Sequence, residues 1–214
     1  NQNRVRQVAA GRDGIAVEQG AQTTHRLLLV VQQERPGFVL LRVDGPAQQL
    51  AFCSLPGDLL VNAPVGTTTL EECALWHKRL QSHRHWQLFG IEAAEVGLIG
   101  DIELDHIAWR SGEAELRVRI GEPSLRGKGL GTEAVRLMLA YAFERLNLTR
   151  VYVRVLASNR QAIASYRKAG FKSEGFLTRS IPPGRSVRIV LMRILRDEFH
   201  SVNVRRAQGI AADM

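Results

Sequence analysis

The sequence predicts an α/β fold, because apolar residues recur with two different periods along the chain. Leu116, Val118 and Ile120 alternate with charged residues, which is the pattern of a strand with one buried face. From Leu130 onward apolar residues return every three or four positions, as in an amphipathic helix. The turn between strand and helix has glycine at every second position: Gly127, Gly129 and Gly131. This strand, turn and helix form the centre of the predicted fold.

The N-terminal third of the chain has the weakest pattern. We expect three segments: an irregular N-terminal segment at 1–36, one domain at 37–199 and a flexible C-terminal tail at 200–214. Residues 38–43 are typical of a strand that ends in a turn. The stretch 48–65 contains Pro56, Gly57 and Pro64, which interrupt a helical pattern.

The remaining elements follow in a regular order. Thr69 and Glu72 form a capping box, which predicts a helix over residues 70–82. Alternation, helical spacing and turn residues predict the other elements: strands at 86–92 and 96–103, a strand at 151–156, a short helix at 160–169, a strand from 171 and, after a turn at 182–184, a last strand at 186–195.

The glycine turn has the features of an anion-binding site. Glycine has no Cβ, so the backbone N–H groups of the turn can approach a ligand closely. The first turn of a helix leaves N–H groups unpaired, and the helix dipole adds partial positive charge there. Arg126 and Lys128 add full charges. A phosphate or pyrophosphate is therefore the expected ligand.

Two common phosphate motifs do not fit this turn. The chain has no P-loop spacing, and the dinucleotide fingerprint G-x-G-x-x-G would require glycine where Thr132 stands. What remains is R-x-x-G-x-G, from Arg126 to Gly131. Such a pattern also occurs as a simple glycine turn before a helix, so its interpretation depends on the residues further along the chain.

The residues after the next strand have a second pattern, N-x-x-A-x-x-x-Y-x-x-x-G-F: Asn159, Ala162, Tyr166, Gly170 and Phe171. With both patterns in this order, the sequence resembles the GNAT superfamily of acetyl-CoA-dependent N-acetyltransferases over about residues 67–199. The other parts of the sequence within this range are most similar to the RimJ/RimL-type branch of the superfamily. The resemblance implies the GNAT fold, a mixed and mostly antiparallel sheet of six to seven strands that is splayed between strands 4 and 5 and flanked by helices.

In this family R-x-x-G-x-G holds the pyrophosphate of coenzyme A, and the thioester arm lies in the splay. The resemblance implies that the matching residues bind acetyl-CoA as cosubstrate: Val118, Arg119, Ile120, Arg126, Gly127, Lys128, Gly129, Leu130, Gly131, Thr132, Asn159 and Ala162. A backbone N–H near Arg119 or Ile120 would polarise the thioester carbonyl, an effect of a few kcal/mol in other enzymes. Asn159 is by its residue type also an N-cap.

Tyr166 is the candidate general acid, which would protonate the departing thiolate. The pKa of a thiol is about 8.5 and that of a phenol about 10, so donation is uphill by roughly 2 kcal/mol. Asn159, Ala162, Ile163 and Tyr166 share one face of the short helix. The alternative is a core tyrosine without a catalytic role.

Glu115 is the candidate general base, eleven positions before Arg126 (126 − 115 = 11), where some family members carry such a glutamate. Because Arg117 and Arg119 share its strand face, an ion-paired glutamate is the alternative. Freeing an amine of pKa about 10.4 at pH 7 costs roughly 4–5 kcal/mol, whereas an α-amine near 7.8 costs only about 1 kcal/mol. A base therefore matters more for the first kind of acceptor.

Asp101, Glu103 and Asp105 form an acidic cluster on the preceding strand. The cluster either attracts a cationic acceptor or reflects the ordinary alternation of a half-exposed strand.

Composition limits the other functions of the 214-residue chain. The net charge is +8 and the pI near 10.3, but the arginines are spread along the chain, so we expect no nucleic-acid partner. No apolar run reaches the roughly 18 residues of a membrane span. Cys53 and Cys73 lack metal-site spacing, and two cysteines fit a reducing, cytoplasmic setting. We therefore expect no metal and no membrane contact.

The expected function is transfer of acetyl from acetyl-CoA to a primary amine by direct attack in a ternary complex. No residue before the glycine turn resembles an activated nucleophile. The acceptor stays open among a protein N-terminus, a polyamine, an amino sugar and an antibiotic amine, and a homodimer is allowed by analogy. Two other classes stay open: a non-catalytic coenzyme A-binding regulatory module and an Arg-rich nucleic-acid-binding protein.

Overall fold

The computed structural model describes residues 15–16, 28–31, 38–42, 84–93, 96–181 and 185–207. Within these residues one sheet has the strand order β1-β2-β3-β4-β5-β6-β7-β9-β8. Its strands are β1 (Ile15–Ala16), β2 (Leu28–Val31), β3 (Phe38–Arg42), β4 (Gln87–Ala93), β5 (Gly97–Ala108), β6 (Glu113–Ile120), β7 (Arg150–Leu156), β8 (Lys172–Ile181) and β9 (Arg185–Leu195). The seven strands from β3 to β9 are the sheet that the sequence predicts, and β1 and β2 extend it.

The helices after the glycine turn and after β7 lie where the sequence places them. A short 3-10 helix (Pro123–Leu125) precedes α1 (Leu130–Ala140), which continues as a π-helical turn (Tyr141–Arg145). The short helix α2 (Arg160–Lys168) follows β7, and α3 (Arg196–Ala207) follows β9. In the part of the chain that the structure describes, no helix combines the length and apolarity that crossing a membrane requires.

Both ends of the chain differ from their expected description. The strands β1 and β2 lie in the segment expected to be irregular, and α3 makes the first eight residues of the expected tail helical. Residues 28–31 lie in a stretch too short for periodicity to separate a strand from a helix, and α3 was not among the elements predicted from the sequence. The expected helix at 70–82, the interrupted stretch at 48–65 and the turn at 182–184 fall outside the described residues.

The strands β6 and β7 are parallel and separate after a short paired stretch. They pair at Glu113–Arg150, Ala114–Val151 and Glu115–Tyr152, and the rest of each strand continues without pairing to the other. The neighbouring pairs β4–β5, β5–β6 and β7–β9 are antiparallel. Counted from β3, this separation lies between strands 4 and 5, as predicted. We call it the opening, and Glu115 lies at its vertex.

The core lies between the sheet and α1. Leu116 on β6 is buried with Ala134, Val135 and Met138 of the helix, which confirms the apolar face predicted for each element. Gly100 on β5 allows a close crossing with β6, because a Cβ there would lie 2.0 Å from the backbone oxygen of Arg119. The charged side chains of β6 therefore lie on the opposite sheet face.

Candidate active site

The register of β6 decides which backbone groups face the opening. The N–H of Gly121 donates to the oxygen of Ile99 on β5 at 2.9 Å. In an antiparallel ladder successive residues point their N–H groups alternately to the two sides of the strand. The N–H of Arg119 is therefore directed to β5, whereas those of Val118 and Ile120 are directed to the opening. Of the two N–H groups considered from the sequence, that of Ile120 can meet a ligand there.

The glycine turn presents backbone at the start of α1. Gly127 and Gly129 have φ of 77° and 88°, a conformation that favours glycine. Gly129 is the N-cap of α1 and has no side chain to cover the first N–H groups of the helix. A Cβ on Gly131 would lie 3.7 Å from Cγ1 of Ile120, so the helix start packs closely on the end of β6.

The side chains around the turn have mixed roles. Arg126 donates from Nε to the oxygen of Ile120 at 2.9 Å and from Nη2 to that of Gly121 at 2.8 Å, so it ties the turn to β6. Lys128 is exposed beside it. Leu130 is buried, so its side chain belongs to the core and only its backbone can meet a ligand.

The helix α2 closes the turn from the other side. Oδ1 of Asn159 accepts from the N–H of Ala162 at 3.0 Å, which confirms the N-cap and uses that N–H. Thr132 shares a hydrogen bond of 2.7 Å with Ser165 and so joins α1 to α2. Gln161, which sequence reasoning missed, also lies against the turn. Its Nε2 is only 3.3 Å from the position that a Cβ on residue 127 would take.

Tyr166 is buried on α2, with its ring 5.4 Å from that of Phe171. Burial, and then the negative charge of Glu115, raise the pKa of Tyr166 to about 12. The phenol is therefore protonated throughout the usual pH range. Against a reference thiol of pKa about 8.5, donation would be uphill by roughly 5 kcal/mol. A thiolate formed in the same buried place is also destabilised, which reduces that difference.

Glu115 lies at the vertex of the opening and is 2% exposed. Its Oε1 accepts from Nε of Arg154 at 2.9 Å, and its Oε2 accepts from Nη2 of Arg154 and from Nη2 of Arg117 at 3.1 Å. Burial acts to raise the pKa of Glu115, but the hydrogen bonds and charges of Arg154 and Arg117 together outweigh it and lower the pKa. Glu115 is thus an anion at neutral pH and a weaker proton acceptor than an exposed glutamate.

Glu115 belongs to a larger ion-pair network across β5, β6 and β7, here called the charged face: Asp101, Glu103, Asp105, Glu115, Arg117, Arg119 and Arg154. Arg117 Nη1 donates to Glu103 at 3.1 Å and to Asp105 at 2.9 Å. Arg119 donates to Asp101 from Nε at 2.9 Å. Four carboxylates and three guanidiniums nearly balance, so the acidic cluster seen in the sequence is largely neutralised.

Asp101 has the opposite pKa shift to Glu115. Burial raises the pKa of Asp101 to about 6, although the charge and hydrogen bonds of Arg119 act to lower it. At Asp101 the single guanidinium of Arg119 does not outweigh the effect of burial on the pKa. At Glu115 the two guanidiniums do outweigh it.

His106 reaches the charged face through a β-bulge. The register of β5 and β6 shifts between Asp105 and Ala108, and His106 has φ of 52°. Its Nδ1 lies 3.0 Å from Oδ2 of Asp105 and 3.9 Å from Oε2 of Glu115. Bulges commonly redirect side chains in this way. Sequence reasoning missed His106, although a polar residue at an inward position of the alternation was an available signal.

Across the described ranges, no group of three or more His, Cys, Asp or Glu side chains is arranged to hold a metal ion.

Comparison with known proteins identifies the family to which this geometry corresponds. A family model described as an acetyltransferase (GNAT) domain matches residues 48–172. The spermidine N(1)-acetyltransferase of Escherichia coli strain K12 is 38% identical over 101 residues, which are 47% of this chain and 52% of that protein. The chain therefore spans about half the length of that relative. The spermidine N(1)-acetyltransferase of Vibrio cholerae is 32% identical over 131 residues, 61% of this chain and 73% of that protein.

The solved structures agree on the fold. A crystal structure of spermidine N-acetyltransferase from Vibrio cholerae in complex with CoA and spermine superposes with a TM-score of 0.65. It is 24% identical and covers 78% of this chain and 99% of that chain, so it shows the fold alone. The RimJ/RimL-type branch expected from the sequence stays a prediction.

Proposed function

The chain belongs to the GNAT family of acetyltransferases, and on this basis we propose that it transfers the acetyl group of acetyl-CoA to a primary amine. The amine attacks directly in a ternary complex, with no acetylated enzyme intermediate. This is the activity of an acetyl-CoA-dependent N-acetyltransferase.

One observation carries the proposal: the opening leads directly into the glycine turn. The N–H groups of Val118 and Ile120 line the opening, and the start of α1 packs on Ile120 through Gly131. An elongated thioester with a diphosphate at one end matches a slot lined by backbone donors that ends at a helix N-terminus. This supports Val118, Ile120 and the turn as the acetyl-CoA site.

The chemistry assigned to the residues depends on their protonation. The amine nitrogen bonds to the thioester carbon, and the N–H of Ile120 stabilises the negative charge that develops on the carbonyl oxygen. When the C–S bond breaks, Tyr166 gives its proton to the sulfur. Glu115 accepts the proton that the amine loses. Solvent returns both side chains to their starting states. From a neutral amine the net products are the amide and the free thiol, and an acceptor that arrives as an ammonium releases one further proton to solvent.

Spermidine is the first acceptor in this proposal, because the two relatives described above are spermidine N-acetyltransferases. A peptide α-amine is the second. The two differ in the cost of deprotonation, roughly 4–5 kcal/mol at pH 7 for an amine of pKa about 10.4 and about 1 kcal/mol for an α-amine.

A thiol-release assay tests the proposal. Purified protein is incubated with acetyl-CoA and, in separate reactions, with spermidine, a short peptide, an amino sugar and an aminoglycoside. Amine-dependent release of coenzyme A is the expected result. Binding of acetyl-CoA without release for any amine would favour the non-catalytic module, and absence of binding would contradict both.

A cytoplasmic location and a homodimer are further parts of the proposal. The two cysteines support the first, since disulfide-dependent proteins of oxidising compartments use more of them. Cell fractionation and light scattering on the purified protein test the two points separately.

A further inference from the structure

Two arginines bind Glu115, and they differ in how firmly they are held. Arg117 pairs with Glu115, Glu103 and Asp105, and its side chain is 34% exposed. The side chain of Arg154 is 45% exposed, and among the described residues it donates hydrogen bonds to Glu115 alone. Arg154 can therefore leave its carboxylate at a smaller cost than Arg117 can.

The position of Arg154 makes this difference relevant to the reaction. Arg154 lies two residues beyond Tyr152, the last residue of β7 that pairs with β6, so its side chain spans the opening close to the vertex to reach Glu115. Both guanidinium hydrogen bonds end on the two oxygens of Glu115. An incoming amine is a cation until it is deprotonated, and it would need the same oxygens.

We propose that Arg154 is a specificity-determining positioning residue that occupies the place of the acceptor ammonium on Glu115 and is displaced by it. The inference rests on the proposed function, in which Glu115 receives the acceptor. The exchange is one of ion pairs and involves no covalent step. The guanidinium swings into solvent, to which it is already partly exposed, and the ammonium takes its place on Glu115.

The exchange keeps the buried carboxylate paired at every stage. A buried anion that loses a partner is strongly destabilised, so Glu115 favours either cation over none. Neutral amines and bulky anions do not replace Arg154 by this route. The acceptors selected are thus amines that arrive protonated.

The groups that face Glu115 come from every strand of the charged face and from α2. Within the described residues they are Arg117, Arg154, Tyr152, His106, Tyr166 and Asp105, which lies opposite Glu115 on β5; Glu103 contacts Arg117 instead. Only the removal of Arg154 takes away a hydrogen-bonded positive charge without disturbing the other carboxylates. Such a change therefore isolates its competition with the acceptor.

The test compares Arg154→Gln with wild type, using spermidine as the probe. With the competing cation gone, we expect KM for spermidine to fall about fivefold at pH 8, which corresponds to a loosely held ion pair of about 1 kcal/mol. KM for acetyl-CoA should stay within twofold. The ratio of kcat/KM for variant over wild type should decline as the pH is lowered toward 5, because Glu115 without Arg154 becomes protonated more readily.

Arg150→Gln is the matched control. Arg150 lies on the same strand face, and it pairs with Glu113 and Glu174 at 2.7 Å each, away from Glu115. This variant should change neither KM nor the pH dependence of the ratio. A KM for spermidine that is unchanged or higher in Arg154→Gln, or a ratio that does not vary with pH, would overturn the inference. If wild-type protein shows no amine-dependent turnover, the proposed function itself fails, and the two failures are thus distinguished.

Discussion

The two ends of β6 differ in the groups that form the site: side chains at one end and backbone at the other. At the vertex end, Glu115 is buried and its contacts are side-chain ion pairs with Arg117 and Arg154. At the turn end, Ile120 and Gly129 contribute backbone, and the nearby Arg126 is tied to backbone oxygens. The vertex end therefore depends on charge and pH, whereas the turn end depends on backbone conformation. The proposed acceptor and the proposed thioester carrier are separated in the same way.

The largest effect should come from Tyr166, because it is the proposed proton donor to the departing thiolate. Tyr166→Phe removes the proposed proton donor, so we expect kcat to fall about 100-fold or more while KM for acetyl-CoA stays within twofold. Tyr141→Phe is the control, since the Tyr141 hydroxyl bonds to Gln87 at the far end of α1. An unchanged kcat in Tyr166→Phe would make Tyr166 structural.

The same residue gives a pH prediction. Because burial and Glu115 raise the pKa of Tyr166 to about 12, its deprotonation should not reduce kcat at any pH below about 10. A basic limb in the kcat profile that disappears in Tyr166→Phe would contradict this assignment.

Charge at the vertex end should have the next largest effect. Glu115→Gln leaves two guanidiniums without their shared anion, so we expect a loss of about 3 kcal/mol in the free energy of unfolding at pH 7. The lowered pKa means that this contribution is lost as the pH falls through the folded-state pKa of Glu115. Urea unfolding at several pH values measures both the loss at pH 7 and its dependence on pH.

The same substitution should also change activity, by an amount that depends on the acceptor. Glu115→Gln should reduce kcat/KM severely for spermidine and only mildly for a peptide α-amine, because deprotonation at pH 7 costs roughly 4–5 kcal/mol for the first acceptor and about 1 kcal/mol for the second. Glu113→Gln is the matched control on the same strand: its carboxylate is 36% exposed and pairs with Arg150 at 2.7 Å. We expect less than about 1 kcal/mol and no change of activity there. Equal losses on both amines would refute Glu115 as the base.

Asp101 tests whether all carboxylates of the charged face respond to pH in the same direction. Its pKa is raised to about 6 by burial, so the folded protein binds a proton more tightly than the unfolded chain does. Between pH 4 and 6 the contribution of Asp101 to stability should therefore rise as the pH falls, by up to about 3 kcal/mol. Asp101→Asn should flatten this dependence in urea unfolding. An identical pH slope in both proteins would contradict the role given to Asp101.

The turn end should show the smallest effect on stability and a separate effect on binding. Gly129→Ala forces a side chain to adopt φ of 88°, at a cost of about 1 kcal/mol. Gly97→Ala is the control, since Gly97 has φ of 83° in the β4–β5 hairpin and nothing within 4 Å of a Cβ. Both should lose similar stability by thermal melting, but only Gly129→Ala should raise KM for acetyl-CoA, by about tenfold. Equal KM values in the two variants would remove the turn from the binding site.

The same contrast explains how far the sequence could predict the site. The turn end is local: Gly127, Gly129 and the alternation of β6 lie within a few residues of one another, so spacing alone reveals them. The vertex end joins Asp105, Glu115 and Arg154 from three strands. Alternation identifies the face of each residue but not its partner across the sheet. The sequence therefore left Glu115 open between base and ion pair.

Backbone detail explains the remaining differences. A one-residue bulge moves His106 to the charged face, and the alternation of β5 does not specify where such a bulge falls. The choice of Ile120 over Arg119 as the donor depends on a single inter-strand hydrogen bond, which fixes the register. The positions of the glycine turn, of the opening and of the helices α1 and α2 needed no such detail and were confirmed.

A crystal structure with bound acetyl-CoA tests the central claim most directly. We expect the diphosphate at the backbone N–H groups of residues 127–132, the thioester arm in the opening between β6 and β7, and the acetyl carbonyl within hydrogen-bond distance of the Ile120 N–H. A complex with the diphosphate away from this turn, or with the thioester outside the opening, would contradict the account.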